Sequence, residues 1–474
     1  MRVDQTDDMG GAMRLASIVL VSAAVLASAS TLAAEPARAP AVPLPSPLAS
    51  DDAMLEPIAP PARVIATWDE ALGMLRARST DLKIALDEIE RRDGQWRSTL
   101  AASLPTVNGT ANATRNVLRG EQTFCNPLTG ACSTAAVPEA STYGASVTLT
   151  QPVFAPRAWY ALGTADRARE VARLSADDQK RLLAVALANA VVSVVTAERL
   201  GEVNRIGLRA ALDRATLAKR RVMLGAGNAL DTVRAEQDVA VARSAVVTGD
   251  ESLRKAREAL GLALGSTEPF GVQPDINLDG LEASARASCA AAATIDERAD
   301  IAAARRSTEI AKRNVKDVWL QFSPTVNLTS TMSASSLPFA NGKQEAWTIA
   351  AVLTVPFFDG GVRYGALRDT RAQEDQAAQR LESARRNATV QVTQARRAVE
   401  VAEQTRRVAE QSRDLALETE RLARVAFQAG TGTSLDLIES GRRLRESESQ
   451  LALQEFGLVQ ARIGALLALS SCRW

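Results

Sequence analysis

Four short segments alternate between apolar and polar positions, and they form two widely separated pairs. In TVNGTANAT (106–114), Val107, Gly109, Ala111 and Ala113 alternate with Asn108, Thr110, Asn112 and Thr114. In YGASVTLTQ (143–151), Tyr143, Ala145, Val147 and Leu149 alternate with Ser146, Thr148 and Thr150. The pattern returns in TVNLTSTMS (325–333) and WTIAAVLTV (347–355). A period of two predicts strands with one apolar and one polar face. Each segment is about the 9 to 11 residues that cross a bilayer as a tilted strand. The polar faces carry Thr, Ser and Asn instead of the Lys and Glu of a solvated sheet edge, which suits a neutral, water-filled lumen. The competing reading is a half-buried sheet in a soluble domain. Tyr143 and Trp347 stand at strand ends, where interfacial aromatics lie.

The rest of the chain follows a helical period. Residues 67–104 have helical apolar spacing and stop at Pro105, which predicts one helix. Longer tracts follow each second strand, roughly 157–223 and 362–428, and the latter contains no proline and only Gly365. At 1.5 Å per residue such a tract is a rod of about 100 Å, too long for a compact globule. Within it Ala388, Ala395, Ala402, Ala409, Ala416 and Ala423 recur every seven residues, with Val401, Val408, Leu415 and Leu422 at another heptad position. That repeat predicts a left-handed supercoiled packing seam. The first rod is similar but carries Gly163, Gly201 and Gly207. Each rod ends in a glycine-bearing turn and returns as a helix, 231–264 or 434–468, with Thr433 or Ser434 as cap of the latter.

The two halves are copies. LPTVNGT (104–110) matches FSPTVNLT (322–329), TQPVF (150–154) matches TVPFF (354–358), and LGAGNALD (224–231) matches AGTGTSLD (429–436). The chain is one structural unit made twice. The first copy has a longer insertion between its strands, 115–142 against 335–346, and that insertion holds Cys125 and Cys132. These two bracket the turn formers NPLTGA, so a local disulfide is expected; Cys289 and Cys472 could form a second, but sequence alone does not bring them together.

Composition narrows the function. Aromatics are 4% and charged residues 23%, with 56 basic against 55 acidic side chains, a profile of long helices. A net charge of +1 with interleaved signs gives no electrostatic case for nucleic acid. There is no histidine, which removes the commonest general base and metal ligand. No catalytic site, cofactor or metal site is expected. After Met13-Arg14, the run LASIVLVSAAVLASASTLAA reads as a secretory signal with small residues suited to cleavage, or as an uncleaved anchor. Export fits disulfides. Residues 35–63, with Pro at 36, 40, 43, 45, 47, 57, 60 and 61, read as an extended linker or strap.

Taken in order, these pieces resemble the TolC-like outer-membrane efflux protein family, on the strength of AGTGTSLDLIE and VPFFDGGVR within the duplicated plan. The resemblance implies a mainly α fold with a small β-barrel part: long coiled-coil helical hairpins plus four transmembrane strands per subunit, assembled as a trimeric α/β barrel. It implies a passive outer-membrane conduit with a periplasmic helical extension, serving tripartite efflux or type I secretion. The implied partners are two sister copies, a periplasmic adaptor, an inner-membrane pump and outer-membrane lipid. The chain then divides into a signal (1–34), a Pro-rich linker (35–63), a first repeat (64–265), an equatorial linker (266–294), a second repeat (295–470) and a tail (471–474). Independently of family, four strands cannot close a barrel and lipid forbids an open edge, so spanning strands force oligomers.

On this plan TQPVF and TVPFF mark strand-to-helix transitions, with Pro152 and Pro356 ending the ladders, Phe154 and Phe358 at the transition, and Gly360 and Gly361 making the second bend. The resemblance makes the turns at 224–231 and 429–436, with Gly225, Gly227, Gly430 and Gly432, the periplasmic entrance and adaptor dock. Asp436 and Glu439 share one helix face and would form acidic rings under threefold symmetry, or Asp436 and Asp231 would complement helix dipoles. Relatives commonly carry Arg at the position of Gly432 and Tyr at that of Phe427, so the closed entrance here is expected to rest on packing and weaker hydrogen bonds. The rival class is a periplasmic coiled-coil scaffold with soluble β tips.

Overall fold

The computed structural model describes residues 52–474 apart from 116, 118–120, 126–128, 137–140, 274–277, 338, 340, 341 and 473. The signal segment and the linker up to residue 51 lie outside the described residues. A 3-10 turn (Ala53–Leu55) and strand β1 (Arg63–Ile65) precede helices α1 (Trp68–Arg78) and α2 (Thr80–Ala101). Strand β2 (Thr106–Arg115), a small hairpin of β3 (Glu121–Cys125) and β4 (Cys132–Ala136), and strand β5 (Ser141–Phe154) lead into rod α3 (Pro156–Met223) and return helix α4 (Ala229–Ala263). The join contains β6 (Phe270–Val272), α5 (Leu278–Ser288) and β7 (Cys289–Ala291). The second unit repeats the plan with α6 (Ala299–Leu320), β8 (Thr325–Ser335), β9 (Glu345–Thr354), rod α7 (Val362–Gln428) and α8 (Ser434–Ala468), closed by β10 (Ser470–Cys472).

One expectation needs correction at the start. The single helix over 67–104 is two, because Ser79 leaves the helical region (φ −57°, ψ 121°) and its hydroxyl accepts the Leu82 amide at 3.2 Å. A serine that caps the next helix interrupts a continuous apolar spacing without disturbing it.

Strands β2, β5, β8 and β9 form one antiparallel sheet in that order. Register places Asn108, Thr148, Thr331 and Thr348 in one row and Thr110, Ser146 and Ser333 in another. Their hydroxyls bond across strands, Thr110 to Ser146 at 2.8 Å and Thr148 to Thr331 at 3.1 Å. On β5 this hydroxyl face is half-buried while Tyr143, Ala145, Val147 and Leu149 are exposed, so apolar side chains face out and polar ones in, the reverse of a soluble sheet. Trp347, on the outer face, donates its indole N–H to Ser330 at 2.9 Å, which gives that polar atom a partner on an apolar surface.

The main core lies where the two units join. Ile65, Leu75, Leu187, Val191, Val194, Leu260, Phe270 and Leu467 are buried together there. The disulfide Cys289–Cys472 sits in this core, tying β7 to β10 across 183 residues. The described end of the Pro-rich segment, 52–63, is a strap: Glu56 and Ala59 carbonyls accept from Arg205 and Arg257, and Asp52 pairs with Arg243 at 2.9 Å, all on the first hairpin. The expected seam of the second rod divides. Ala388 and Ala409 are buried, whereas Val401, Val408, Leu415 and Leu422 are exposed.

Candidate entrance turns and strand-to-rod transitions

The two hairpin turns are built alike. At the end of α3 the Gly225 amide donates to Val222 O at 3.0 Å and the Ala226 amide to Arg221 O at 2.9 Å; at the end of α7, Gly430 donates to Phe427 O and Thr431 to Ala426 O at 3.0 Å. This is the Schellman arrangement, and its left-handed residue is Gly225 (φ 73°) or Gly430 (φ 78°). Gly227 and Gly432 serve a different need. A Cβ on Gly227 would lie 2.8 Å from the Val222 amide nitrogen, and one on Gly432 would lie 2.9 Å from that of Phe427. The turn folds back onto the rod it leaves, so an arginine at 432 would displace the end of α7 besides adding charge.

The return helices are capped differently. Asn228 accepts the Leu230 amide at 3.1 Å, whereas Thr433 and Asp436 form a reciprocal capping box, with Asp436 N to Thr433 Oγ1 at 3.1 Å and Thr433 N to Asp436 Oδ2 at 3.3 Å. The Thr433 hydroxyl, then its backbone amide, hold the Asp436 carboxyl below the usual carboxylate range. Glu439 is paired with Arg442 at 3.0 Å and Arg443 at 3.1 Å, and these guanidiniums lower it likewise. Both carboxylates therefore stay ionised, Asp436 engaged in its cap and Glu439 in two surface ion pairs. Asp231 stands in the first turn of α4 and accepts a hydrogen bond from Ser434 at the start of α8. Phe427 receives the Arg221 guanidinium over its ring at 4.2 Å. These two contacts join the tips of the hairpins. Ser434 and Arg221 were not among the expected gate residues, since partners about two hundred positions apart leave no local signal.

The transitions differ between copies. Pro152 does not end its ladder: β5 continues to Phe154, which pairs with Val326 after a bulge. Proline lacks a donor but a bulge accommodates it, and the strand resumes. Phe154 then meets Trp159 edge-on at 5.9 Å. In the second copy β9 stops at Thr354, ahead of Pro356. Gly360 (φ 70°) and Gly361 (φ 93°) make the bend, and Asp359 closes it by accepting the Gly361 and Arg363 amides, each at 3.0 Å. Arg363, missed from sequence although its i,i+4 spacing from Asp359 was the signal, is the pin. It is 5% exposed, pairs with Asp359 at 2.6 Å, donates to the Pro356 carbonyl at 3.1 Å and lies 4.4 Å from the Phe322 ring centroid. Phe358, in contrast, projects outward at 88% exposure beside Phe357 at 90%. In the first copy Arg157 reaches across to Asp317 of α6 at 3.0 Å instead. The inserted hairpin between β2 and β5 is closed by the Cys125–Cys132 disulfide.

The fold is shared with solved channels. A crystal structure of CusC overlays with a TM-score of 0.73 at 19% identity, covering 85% of this chain and 91% of that one. A membrane protein from Pseudomonas aeruginosa gives 0.71 at 21% identity, covering 88% and 94%. In sequence, the cation efflux system protein CusC of Escherichia coli K12 is 22% identical over 374 residues, 77% of this chain and 78% of the relative. The model of the family described as outer membrane efflux protein matches residues 71–266 and 291–469, most of the chain and both copies of its repeat. The chain accordingly belongs to the outer membrane efflux protein family, the TolC-like channels.

Proposed function

We propose that three copies of the chain close one barrel, each contributing β2, β5, β8 and β9, and that the paired rods continue the bore through the periplasm. The chain is an outer-membrane efflux channel and not an enzyme. The observation that carries the trimer is that β2 and β9 are the two edges of a sheet with an apolar outer face, and their outer sides pair with no strand among the described residues. Lipid cannot solvate such edges, so they must pair with sister strands. The rods support the same closure. Counting about 1.5 Å per residue up from the tips, exposed Val233, Val241 and Val247 of α4 stand within about 5 Å of the heights of Leu422, Leu415 and Val408 of α7. A head-to-tail match of this kind generates a ring. Carbonate-washed outer membranes should retain the protein, and its mass in detergent should be three protomers; a monomer that stays soluble in detergent-free buffer overturns the reading.

We further propose that the turns at 224–231 and 429–436 form the entrance, engaged by a periplasmic adaptor that links the channel to an inner-membrane pump, which selects the cargo. The Asp231–Ser434 and Arg221–Phe427 contacts hold the tips together in place of stronger ionic links. Asp231→Ala with Phe427→Ala should raise conductance in planar bilayers several-fold; unchanged conductance counts against this latch.

A further inference from the structure

Above the tips, roughly 15 Å up the hairpins at about 1.5 Å per residue, lies a cluster that the entrance turns do not use. Asp238 of α4 is buried, with its side chain 4% exposed. Each of its oxygens accepts from a different helix: Oδ2 from Arg214 Nη2 of α3 at 2.8 Å, and Oδ1 from Arg445 Nη2 of α8 at 2.6 Å. One carboxylate thus faces two guanidiniums, and Arg214 Nε and Arg445 Nη1 are buried without a hydrogen-bond partner.

The helices are cut to admit these side chains. A Cβ on Gly207 of α3 would stand 2.4 Å from Arg445 Cδ, and a Cβ on Gly441 of α8 would stand 2.8 Å from Arg214 Nη1. Glycine inside a helix is less favourable than alanine, so two such positions beside one buried ion cluster point to a fitted junction. Each arginine crosses into the other hairpin through the gap left by a missing side chain.

We propose that Asp238, Arg214 and Arg445 form the lock between the two hairpins, and that Gly207 and Gly441 are its sockets. The inference rests on the entrance reading above and adds residues that no tip contact includes. The physical case is the division of labour in packing. Most apolar contact in this stretch lies within the first hairpin, where Leu208, Ala211, Ala215, Val239, Ala242 and Val246 are buried together, with Ile438 of α8 packed against them from the second. The buried polar part of the junction with the second hairpin is ionic. Separated arginines and aspartate regain hydration, so a buried ion cluster gives little net adhesion but strong geometric selectivity. An interface of that kind can open without exposing a core, and it recloses in one register.

The test uses the full-length trimer in detergent, followed by hydrogen exchange of the segments 224–246 and 429–446 and by conductance in planar bilayers. Asp238→Asn, which leaves two arginines facing a neutral amide, should speed exchange in both segments at least tenfold, leave the segment 257–272 unchanged, and raise conductance. Gly441→Ala, which keeps every charge but fills a socket, should act in the same direction. Acceleration confined to 224–246, as loss of internal hairpin packing would give, or uniform acceleration including 257–272, overturns the lock, as do wild-type rates in both variants. Selective acceleration in a protein that conducts in no form supports the lock and removes the conduit reading instead.

Discussion

The two rods are products of one repeat, yet they stand in opposite relations to their own chain. α3 buries Ala184, Leu187, Val191, Val194, Leu208 and Ala211, and its hairpin is further bound by the strap through Arg205, Arg243 and Arg257. α7 buries only Arg363, Leu367, Ala388, Val392, Ala409 and Glu420 among the described residues, and its Val401, Val408, Leu415 and Leu422 face outward. The same heptad logic is written into both. In the first copy it is satisfied at home; in the second it leaves an exposed stripe, the surface that the proposed trimer would use. A duplicated fold can therefore assign one hairpin to the scaffold and the other to assembly and movement without changing the backbone plan.

The strongest way to break this division is to cut the disulfide that closes the second copy onto the join. Cys289 and Cys472 are 1% and 0% exposed and lie in the same core as the middle of α3. With 183 residues between them, the chain-entropy model assigns the bond about 5 kcal/mol, against about 2 kcal/mol for the short Cys125–Cys132 loop. Cys289→Ser with Cys472→Ser should lower the unfolding midpoint markedly more than Cys125→Ser with Cys132→Ser. Equal shifts would mean that the join is not where the copies are held together.

A smaller effect should separate the rods themselves. Leu208→Ala removes a side chain that is 0% exposed and should destabilise the protomer by about 3 kcal/mol. Leu415 is 70% exposed in the chain, so Leu415→Ala should leave protomer unfolding nearly unchanged but raise the concentration at which trimers dissociate. If Leu415→Ala instead lowers protomer stability as much as Leu208→Ala, the stripe packs within the chain and the contrast between the rods fails.

Much of this organisation is legible in the sequence because it is periodic. The bounds of α7 follow from a tract without proline, the strands from alternation, and the turns from glycines repeated in both copies. The contacts that join the copies are not periodic. Ser434 to Asp231 and Arg445 to Asp238 span 203 and 207 positions, and one sequence carries no record of such pairing. Gly207 and Gly441 are a partial exception, since an unexplained glycine inside a rod marks a close approach even when its partner is unknown. Ser79 shows the opposite failure: the apolar spacing runs straight through it, and only its capping hydroxyl breaks the helix. For Asp436 and Glu439, sequence shows a shared helix face but not the contacts of Asp436 with Thr433 or of Glu439 with Arg442 and Arg443.

The finest contrast between the copies lies in the caps of α4 and α8, and acid should expose it. Asn228 does not titrate, whereas Asp436 caps as a carboxylate. The folded pKa of Asp436 is lowered, by the Thr433 hydroxyl first, and that of Glu439 is lowered by Arg442 and Arg443. A lowered folded pKa contributes stability that is present above the unfolded value and is lost as pH falls through the folded one, so the start of α8 should loosen below about pH 4. The start of α4, whose Asn228 cap carries no charge, should loosen less. Hydrogen exchange of 434–440 and 229–235, normalised to intrinsic rates at each pH, compares the two directly. Thr433→Ala should weaken the α8 start by about 1 kcal/mol at neutral pH and reduce the acid response, because the partner whose hydroxyl lowers Asp436 is then gone. Parallel acid loosening of both starts would show that the tips respond to net charge and not to their caps, and the difference in capping chemistry between the copies would then have no consequence for the entrance.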